Sequence, residues 1–134
     1  MLYVIHRQNH PDLHYRGGQE PIIHIQASLA RTIEWADDNK MRWAFTDANA
    51  SSSVARFYKN TSHLDVLRWD AINAKMWLGD STHKQAEFLI EHRFPITLVE
   101  SIGVYSEEYA KRIYPILRQH GADKLIRIVP DWYY

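Results

Sequence analysis

Short segments with the character of strands and helices follow one another irregularly along this chain of 134 residues. β-Branched and aromatic residues predict strands near residues 2–6, 22–25, 42–46, 84–92, 98–105 and 125–129. Apolar residues at helical spacing predict helices over 28–38, 67–76 and 106–120, with a short one near 54–58. This order lacks the strict alternation of a doubly wound fold. We therefore expect an α+β fold in a single domain covering residues 1–134, because the length suits one core.

Capping residues set the limits of two of the predicted helices. Ser28 and Ser106 each stand where an N-cap is favoured, and two glutamates follow Ser106 in the first turn, where the helix dipole favours acids. Gly121 predicts the end of the second of these helices. Pro115 is expected to kink that helix or to shift its start, because proline removes one backbone hydrogen bond.

The charge and cysteine content exclude several classes of function. Sixteen basic and sixteen acidic residues cancel, so the chain has no net charge to attract a polyanion, and a nucleic-acid partner would need a local patch. The absence of cysteine excludes disulfides, thiolate zinc sites and cysteine nucleophiles. No apolar run is long enough to span a membrane, and the first residues lack the pattern of a signal peptide. A soluble, cytoplasmic protein without a membrane partner is the resulting prediction.

Aromatic residues are more frequent than a small core requires. The chain contains five Trp, eight Tyr and four Phe. Because aromatic side chains both pack in cores and stack on planar ligands, we expect some of them to contact a ligand.

The histidines do not form a convincing metal motif. His6, His10 and His14 are spaced by four residues, as ligands on one helical face would be, but Pro11 disfavours a helix at His10. No carboxylate pattern of a zinc enzyme accompanies them. We therefore predict no metal site.

Two further motifs are better explained by loops than by catalysis. The serines at 51–53 lack the surrounding glycines of a hydrolase nucleophile elbow. Gly17 and Gly18 are too few for a phosphate-binding fingerprint and follow a loop rather than a strand. A turn before the next strand is the expected role of the two glycines.

Residues 84–92 form the stretch with the most chemical content. Alternation along a strand would place Gln85 and Glu87 on one face, with Ala86 and Phe88 on the other. From the residues alone, the favoured interpretation is an edge strand with a solvated polar face. The alternative is a carboxylate that works at an anomeric carbon, where it can hold a ribose hydroxyl or stabilise an oxocarbenium-like transition state.

The chain resembles a known family along nearly its whole length. Seven segments in family order carry the resemblance: MLYVIH (1–6), GGQEPI (17–22), FTD (45–47), ARFY (55–58), LRWDAI (67–72), KQAEFL (84–89) and DWYY (131–134). They resemble the DarT-type DNA ADP-ribosyltransferases, which are toxins of bacterial toxin–antitoxin pairs. Seven ordered blocks are hard to obtain by chance.

The resemblance implies a fold and a reaction. The fold is of the ADP-ribosyltransferase type, with a split pair of small mixed sheets and flanking helices around an NAD cleft. The reaction transfers ADP-ribose from the co-substrate NAD to thymidine bases in single-stranded DNA. Glu87 aligns with the catalytic glutamate, and the implied partners are single-stranded DNA, NAD and a macrodomain antitoxin of the DarG type.

The resemblance also implies an acceptor-binding region between residues 46 and 87. Gln85 completes the Gln-x-Glu pattern and is expected to hold the acceptor. Cationic side chains are expected to meet phosphates, and aromatic ones to stack on bases. These residues are Arg56, Lys59 and Lys84, and Tyr58, Trp69 and Trp77.

The sequence departs from the family in two places. Family members carry a histidine-containing NAD-binding strand and an essential arginine upstream of the point that matches Met1, so the residues that bind NAD are not assigned here. The family also tends to have a histidine where this chain has DANA at 47–50. The alternative function is a catalytically incomplete remnant that binds single-stranded DNA or an antitoxin without turnover. Exposed apolar faces would then favour self-association.

Overall fold

A computed structural model of the protein describes residues 2–7, 11, 13–74 and 81–134. The chain forms two compact units, one comprising Met1–Thr32 and Pro95–Tyr134 and the other Ile33–Phe94, so the division falls within a helix. None of the helices in the described ranges is long and apolar enough to cross a membrane.

The described elements mix helices and strands, as predicted. The helices are α1 (Leu2–Arg7), α2 (Leu29–Asp38), α3 (Trp69–Asn73) and α4 (Glu107–Gln119). The strands are β1 (His24–Ala27), β2 (Trp43–Thr46), β3 (Phe57–Tyr58), β4 (Phe88–Ile90), β5 (Val99–Val104) and β6 (Ile126–Ile128). Short 3₁₀ helices lie at Thr61–Val66, His83–Gln85, Ile96–Leu98, Asp123–Leu125 and Pro130–Trp132.

The sheet of the first unit has the order β1-β5-β6. β1 and β5 are antiparallel, with Ile25 opposite Ile102, whereas β5 and β6 are parallel, with Val104 opposite Ile128. A parallel pair needs a crossover connection, which α4 supplies. Ile102 and Val104 are 2% and 0% exposed, so the central strand carries the core of this unit.

The end of α4 follows the predicted glycine signal. Gly121 has φ +67°, its N–H donates to the Arg118 carbonyl at 3.1 Å, and the Ala122 N–H donates to the Leu117 carbonyl at 2.9 Å. These two bonds form a Schellman motif. Ser106 occupies the N-cap position in an extended conformation, although its side chain makes no capping hydrogen bond. Pro115 lies inside the helix without shifting its start from Glu107.

The C-terminal segment of the first unit packs against β5 at Gly103. A Cβ atom at this glycine would lie 2.6 Å from Val129 Cγ2 and 2.8 Å from the Trp132 ring. The Tyr133 hydroxyl donates to the Ile22 carbonyl at 2.6 Å. Because the segment touches the strand backbone directly, only glycine fits at position 103.

A buried glutamine and an aromatic cluster complete the attachment of this segment. The Gln19 amide oxygen accepts the Tyr134 N–H at 2.8 Å, and its amide nitrogen donates to the Tyr134 carbonyl. The His24 ring meets Tyr133 edge-on at 4.8 Å and Trp132 at 5.7 Å. Burial lowers the pKa of His24 and raises the pKa of Tyr133.

The sheet of the second unit has the order β3-β2-β4 and is antiparallel throughout. Phe45 lies opposite Tyr58 on one side and Phe88 on the other. The Phe45 and Tyr58 rings stack at 5.2 Å, and Trp43 stacks on Phe88 at 5.8 Å. Cross-strand aromatic pairs of this kind are a main source of sheet stability.

Several sequence predictions fail locally. Leu2–Arg7 is a helix rather than a strand, because a short apolar run does not distinguish the two by its period, and α1 buries Ile5 while His6 and Arg7 are exposed. The predicted short helix at 54–58 is wrong, since Phe57–Tyr58 pairs with β2 as strand β3. The predicted strand at 22–25 begins two residues later, at His24.

The predicted helix over 67–76 and strand over 84–92 are both shorter in the structure. α3 spans Trp69–Asn73, and the end predicted at Met76, together with Trp77, lies outside the described residues. The first part of the predicted strand is the 3₁₀ turn His83–Gln85, and β4 begins only at Phe88.

Substituting Gly103→Ala should destabilise the protein by about 1–3 kcal/mol, because the added methyl overpacks the contact with Val129 and Trp132. Urea unfolding followed by tryptophan fluorescence measures this change. A variant as stable as the wild type would show that the segment containing Trp132 does not pack on β5.

Acid should weaken the second unit through Glu91. The Arg42 guanidinium binds this carboxylate at both oxygens, with Nε 2.9 Å from Oε2, and holds the pKa of Glu91 at about 2, below its ordinary value of 4.5. The stability from this pair is therefore present above pH 4.5 and is lost as the pH falls toward 2.

Thermal unfolding between pH 7 and pH 2 tests this, and Arg42→Gln should reduce the decline in Tm within that window. Arg68 likewise holds the pKa of Asp70 at about 2, so part of the decline should persist in the variant. An unchanged pH profile in Arg42→Gln would contradict the assignment to Glu91.

Candidate active site around Glu87

Glu87 is positioned by the strand pairing of the second unit. It directly precedes β4, and its carbonyl accepts the Thr46 N–H at 2.9 Å, two positions beyond the pairing of Ala44 with Leu89. The side chain is half-buried. The glutamate therefore stands at the end of a paired ladder, where the backbone is fixed and the side chain still reaches the surface.

The Glu87 carboxylate is held by the loop that follows β2. Oε2 accepts the main-chain N–H of Ala50 at 3.0 Å, and Oε1 lies 3.4 Å from the Asn49 side-chain nitrogen. Asn49 is itself fixed, because its side-chain oxygen accepts the Ser51 N–H at 3.0 Å and the Ser51 hydroxyl at 2.5 Å. The arrangement fixes the orientation of a carboxylate that can accept a hydrogen bond from a bound hydroxyl.

Asp47 ties the same loop to β3. Its Oδ1 accepts the Arg56 N–H at 2.9 Å, and its Oδ2 accepts the Tyr58 hydroxyl at 3.3 Å. The Arg56 guanidinium is exposed and makes no ion pair or hydrogen bond with the described residues. It is thus a cation available to an anionic ligand, carried on a backbone that Asp47 anchors.

Two of the predicted acceptor-binding side chains lie at α3. Trp69 begins this helix, is 45% exposed, and donates its indole N–H to the Leu64 carbonyl at 3.0 Å. The Lys84 ammonium donates to the carbonyls of Ile72 at 3.2 Å and of Ala74, at the C-terminus of α3. Lys84 thereby neutralises the negative end of the helix that carries Trp69.

Gln85 does not share a strand face with Glu87. The strand expected to align the two side chains begins only at Phe88, and Gln85 lies in the preceding 3₁₀ turn. Its side-chain nitrogen donates to the Ser81 carbonyl at 3.1 Å. The prediction that one strand aligns the side chains of Gln85 and Glu87 on the same face is therefore wrong. The two residues are nevertheless only two positions apart in the chain.

The partners of Glu87 were not identified from the sequence. Thr46, Asn49 and Ala50 lie 37 to 41 residues before it along the chain. The Asn-x-Ser pattern of Asn49 and Ser51 is a local turn signal, but only the pairing of β2 with β4 brings that turn to the glutamate.

The first unit contains a separate cavity of about 410 Å³. Main-chain and polar groups line much of it, including Gly17, Gly18, Gln19, Glu20 and Tyr105. Gly18 has φ +72° and directly precedes the turn before β1, which the Ile22 N–H closes on the Gln19 carbonyl at 3.0 Å. No group of three or more His, Asp or Glu side chains suited to a metal ion occurs in the described ranges, and His10 lies outside them.

Comparisons with known proteins confirm the family resemblance. The family described as ssDNA thymidine ADP-ribosyltransferase, DarT, matches residues 1–134. A DNA ADP-ribosyl transferase of Thermus aquaticus is 35% identical over all of this chain, which covers 58% of that protein. A DNA ADP-ribosyl transferase of Thermus sp. strain 2.9 is 37% identical, with 63% of it covered.

Solved structures agree with this result. Thermus sp. 2.9 DarT in complex with ADP-ribosylated ssDNA superposes with a TM-score of 0.84 at 34% identity, over 99% of this chain and 63% of that one. The same protein in complex with NAD⁺ also gives 0.84 at 34% identity, over 99% of this chain and 66% of that one. The chain spans about three fifths of the length of the curated relatives that it matches. The chain belongs to the DarT family of ssDNA thymidine ADP-ribosyltransferases.

Proposed function

We propose that this protein transfers ADP-ribose from NAD to thymidine bases in single-stranded DNA, with Glu87 as its catalytic carboxylate. The observation that carries the proposal is the fixed carboxylate of Glu87, which accepts the Ala50 N–H at 3.0 Å at the end of the β2–β4 ladder. The complexes of Thermus sp. 2.9 DarT with NAD⁺ and with ADP-ribosylated ssDNA support this co-substrate and this acceptor.

The chemistry is a displacement at the anomeric carbon of the nicotinamide ribose. The bond from this carbon to nicotinamide breaks, and a ring nitrogen of thymine forms the new bond while losing its proton. Glu87 holds a ribose hydroxyl through its carboxylate, assists the removal of the ring proton and stabilises the positive charge that develops on the ribose. Nicotinamide leaves, and the proton passes to solvent. No step requires a metal ion.

Acceptor binding involves Gln85, Arg56 and Trp69. Gln85 donates to the Ser81 carbonyl through its side-chain nitrogen, which leaves the oxygen to accept a hydrogen bond from a base. The exposed Arg56 guanidinium meets a phosphate, and the exposed Trp69 ring stacks on a base. Such stacking contributes about 1–3 kcal/mol per base, which offsets the lack of net positive charge.

Lys84 contributes to the acceptor site through α3. Its contacts with the carbonyls of Ile72 and Ala74 support a role in orienting the helix that begins at Trp69. The ammonium is shared among helix carbonyls, so a direct phosphate contact is the less favoured role for Lys84.

The family further supports a role as the toxin of a toxin–antitoxin pair. A macrodomain antitoxin of the DarG type is the proposed partner. The cytoplasm is the proposed compartment, since NAD and single-stranded DNA are both available there.

Substituting Glu87→Ala should lower the rate of ADP-ribose transfer by about 10²–10⁴-fold, the range typical of a lost general acid or base. Mass spectrometry of a thymidine-containing oligonucleotide incubated with NAD measures the transfer as the mass of one ADP-ribose. The matched control is Glu34→Gln, an exposed glutamate on α2, which should retain the wild-type rate. An oligonucleotide that the wild type binds but does not modify would instead favour binding without turnover.

Substituting Trp69→Ala should weaken binding of the oligonucleotide by about 1–3 kcal/mol through the lost stacking, whereas Trp69→Phe should retain most of it. Arg56→Gln should reduce the dependence of binding on salt by about one released ion. Fluorescence anisotropy of a labelled oligonucleotide at several salt concentrations measures both effects. Unchanged affinity in both Trp69→Ala and Arg56→Gln would exclude this surface as the acceptor site.

A further inference from the structure

The hydroxyl of Thr46 forms hydrogen bonds to two parts of the candidate site, the loop after β2 and the backbone of Glu87. Thr46 is 0% exposed. Its Oγ1 donates to the Ala48 carbonyl at 2.6 Å and accepts the Glu87 N–H at 3.0 Å. Because a hydroxyl has a single proton, donating it to Ala48 leaves an oxygen lone pair to accept the glutamate N–H.

This hydroxyl takes a place in the strand ladder that a main-chain carbonyl would ordinarily occupy. The Thr46 N–H donates to the Glu87 carbonyl at 2.9 Å, as in an ordinary antiparallel pair. The return bond from the Glu87 N–H goes to the Thr46 side chain. The backbone of the glutamate is thus tied at both of its polar groups to one residue.

The same hydroxyl also fixes the loop that holds the carboxylate. Ala48 is 2% exposed, and its carbonyl is bound by Thr46 just before the loop reaches Asn49 and Ala50. Those two residues contact the carboxylate oxygens. One buried side chain therefore sets the distance between the backbone of Glu87 and the donors that orient its carboxylate.

We propose that Thr46 is a positioning residue for Glu87. The inference rests on the proposed function for its effect on catalysis, but the hydrogen-bonded geometry is independent of that function. Valine has the same shape as threonine without the hydroxyl, so Thr46→Val keeps the packing and removes every hydrogen bond of the hydroxyl, including a longer one of 3.4 Å to the Glu87 carbonyl. Serine keeps the hydroxyl, so Thr46→Ser should restore the positioning.

The chain offers a matched control in a second buried threonine. Thr32 is 3% exposed, and its hydroxyl donates to the Ser28 carbonyl at 2.7 Å within the first turn of α2. Thr32→Val therefore removes a buried hydroxyl of the same kind, whose hydrogen bond goes to Ser28 rather than to Glu87 or the loop. Both valine variants are expected to unfold at a lower temperature than the wild type.

Steady-state kinetics of ADP-ribose transfer to the oligonucleotide test the effect of Thr46 on catalysis. We expect Thr46→Val to lower kcat by about tenfold to a hundredfold, as a displaced catalytic group does, with little change in the KM for NAD. Thr46→Ser should stay near the wild-type kcat, and so should Thr32→Val. If kcat in Thr46→Val matches that in Thr32→Val, or if serine fails to restore it, the proposal is overturned.

A second measurement separates this proposal from the proposed function. In ¹⁵N-labelled protein, the amide proton of Ala50 reports its hydrogen bond to Glu87. Thr46→Val should move this resonance toward its position in Glu87→Ala, whereas Thr32→Val and Thr46→Ser should leave it near the wild-type position. An Ala50 resonance that Thr46→Val leaves unchanged overturns the proposal, even if the wild type transfers ADP-ribose. Absence of transfer by the wild type counts against the proposed function alone.

Discussion

The antiparallel pairing of β2 with β4 determines the geometry of the candidate site. It brings Thr46 to Glu87, which lies 41 positions later in the sequence, and the loop after β2 then reaches the carboxylate. Without this pairing, no local feature would hold Asn49 or Ala50 near the glutamate. Stacked aromatic rings on the opposite face stabilise the same strands, with Trp43 against Phe88. Packing on one face of the sheet thus supports the candidate site at its end.

The main chain, rather than a specialised side chain, supplies the shorter of the two hydrogen bonds to the carboxylate. The Ala50 N–H lies 3.0 Å from Oε2, against 3.4 Å for the Asn49 side chain and Oε1. Every residue except proline supplies a main-chain N–H, so the loop can depart from its relatives in sequence and still orient the glutamate. The DANA sequence at 47–50, which differs from the histidine expected there, is therefore compatible with a functional carboxylate.

Sequence reasoning succeeded where the determining interactions are local. Helix α4 was predicted because Ser106 and Gly121 mark its two ends, and the Schellman bonds after Leu117 bear out the second signal. It failed at 2–7 and 83–85, where short apolar or alternating runs fit more than one structure and tertiary contacts decide. Glu87 was selected only through the family resemblance. Its partner Thr46 was missed because strand pairing across a long intervening segment leaves no mark in a single sequence.

Some aromatic side chains pack inside the units and others are exposed, and only the exposed ones are available to a ligand. In the first unit, Trp132 and Tyr133 enclose His24 and seat the C-terminal segment on Gly103, so part of the aromatic excess is structural. In the second unit, Trp69 keeps its ring exposed while its indole N–H is already bonded to Leu64. A tryptophan with its polar group satisfied offers an apolar ring face, which the proposed function assigns to stacking on a base. Under the proposed function, a chain without net charge would bind a nucleic acid mainly through base contacts, and phosphate attraction would be secondary.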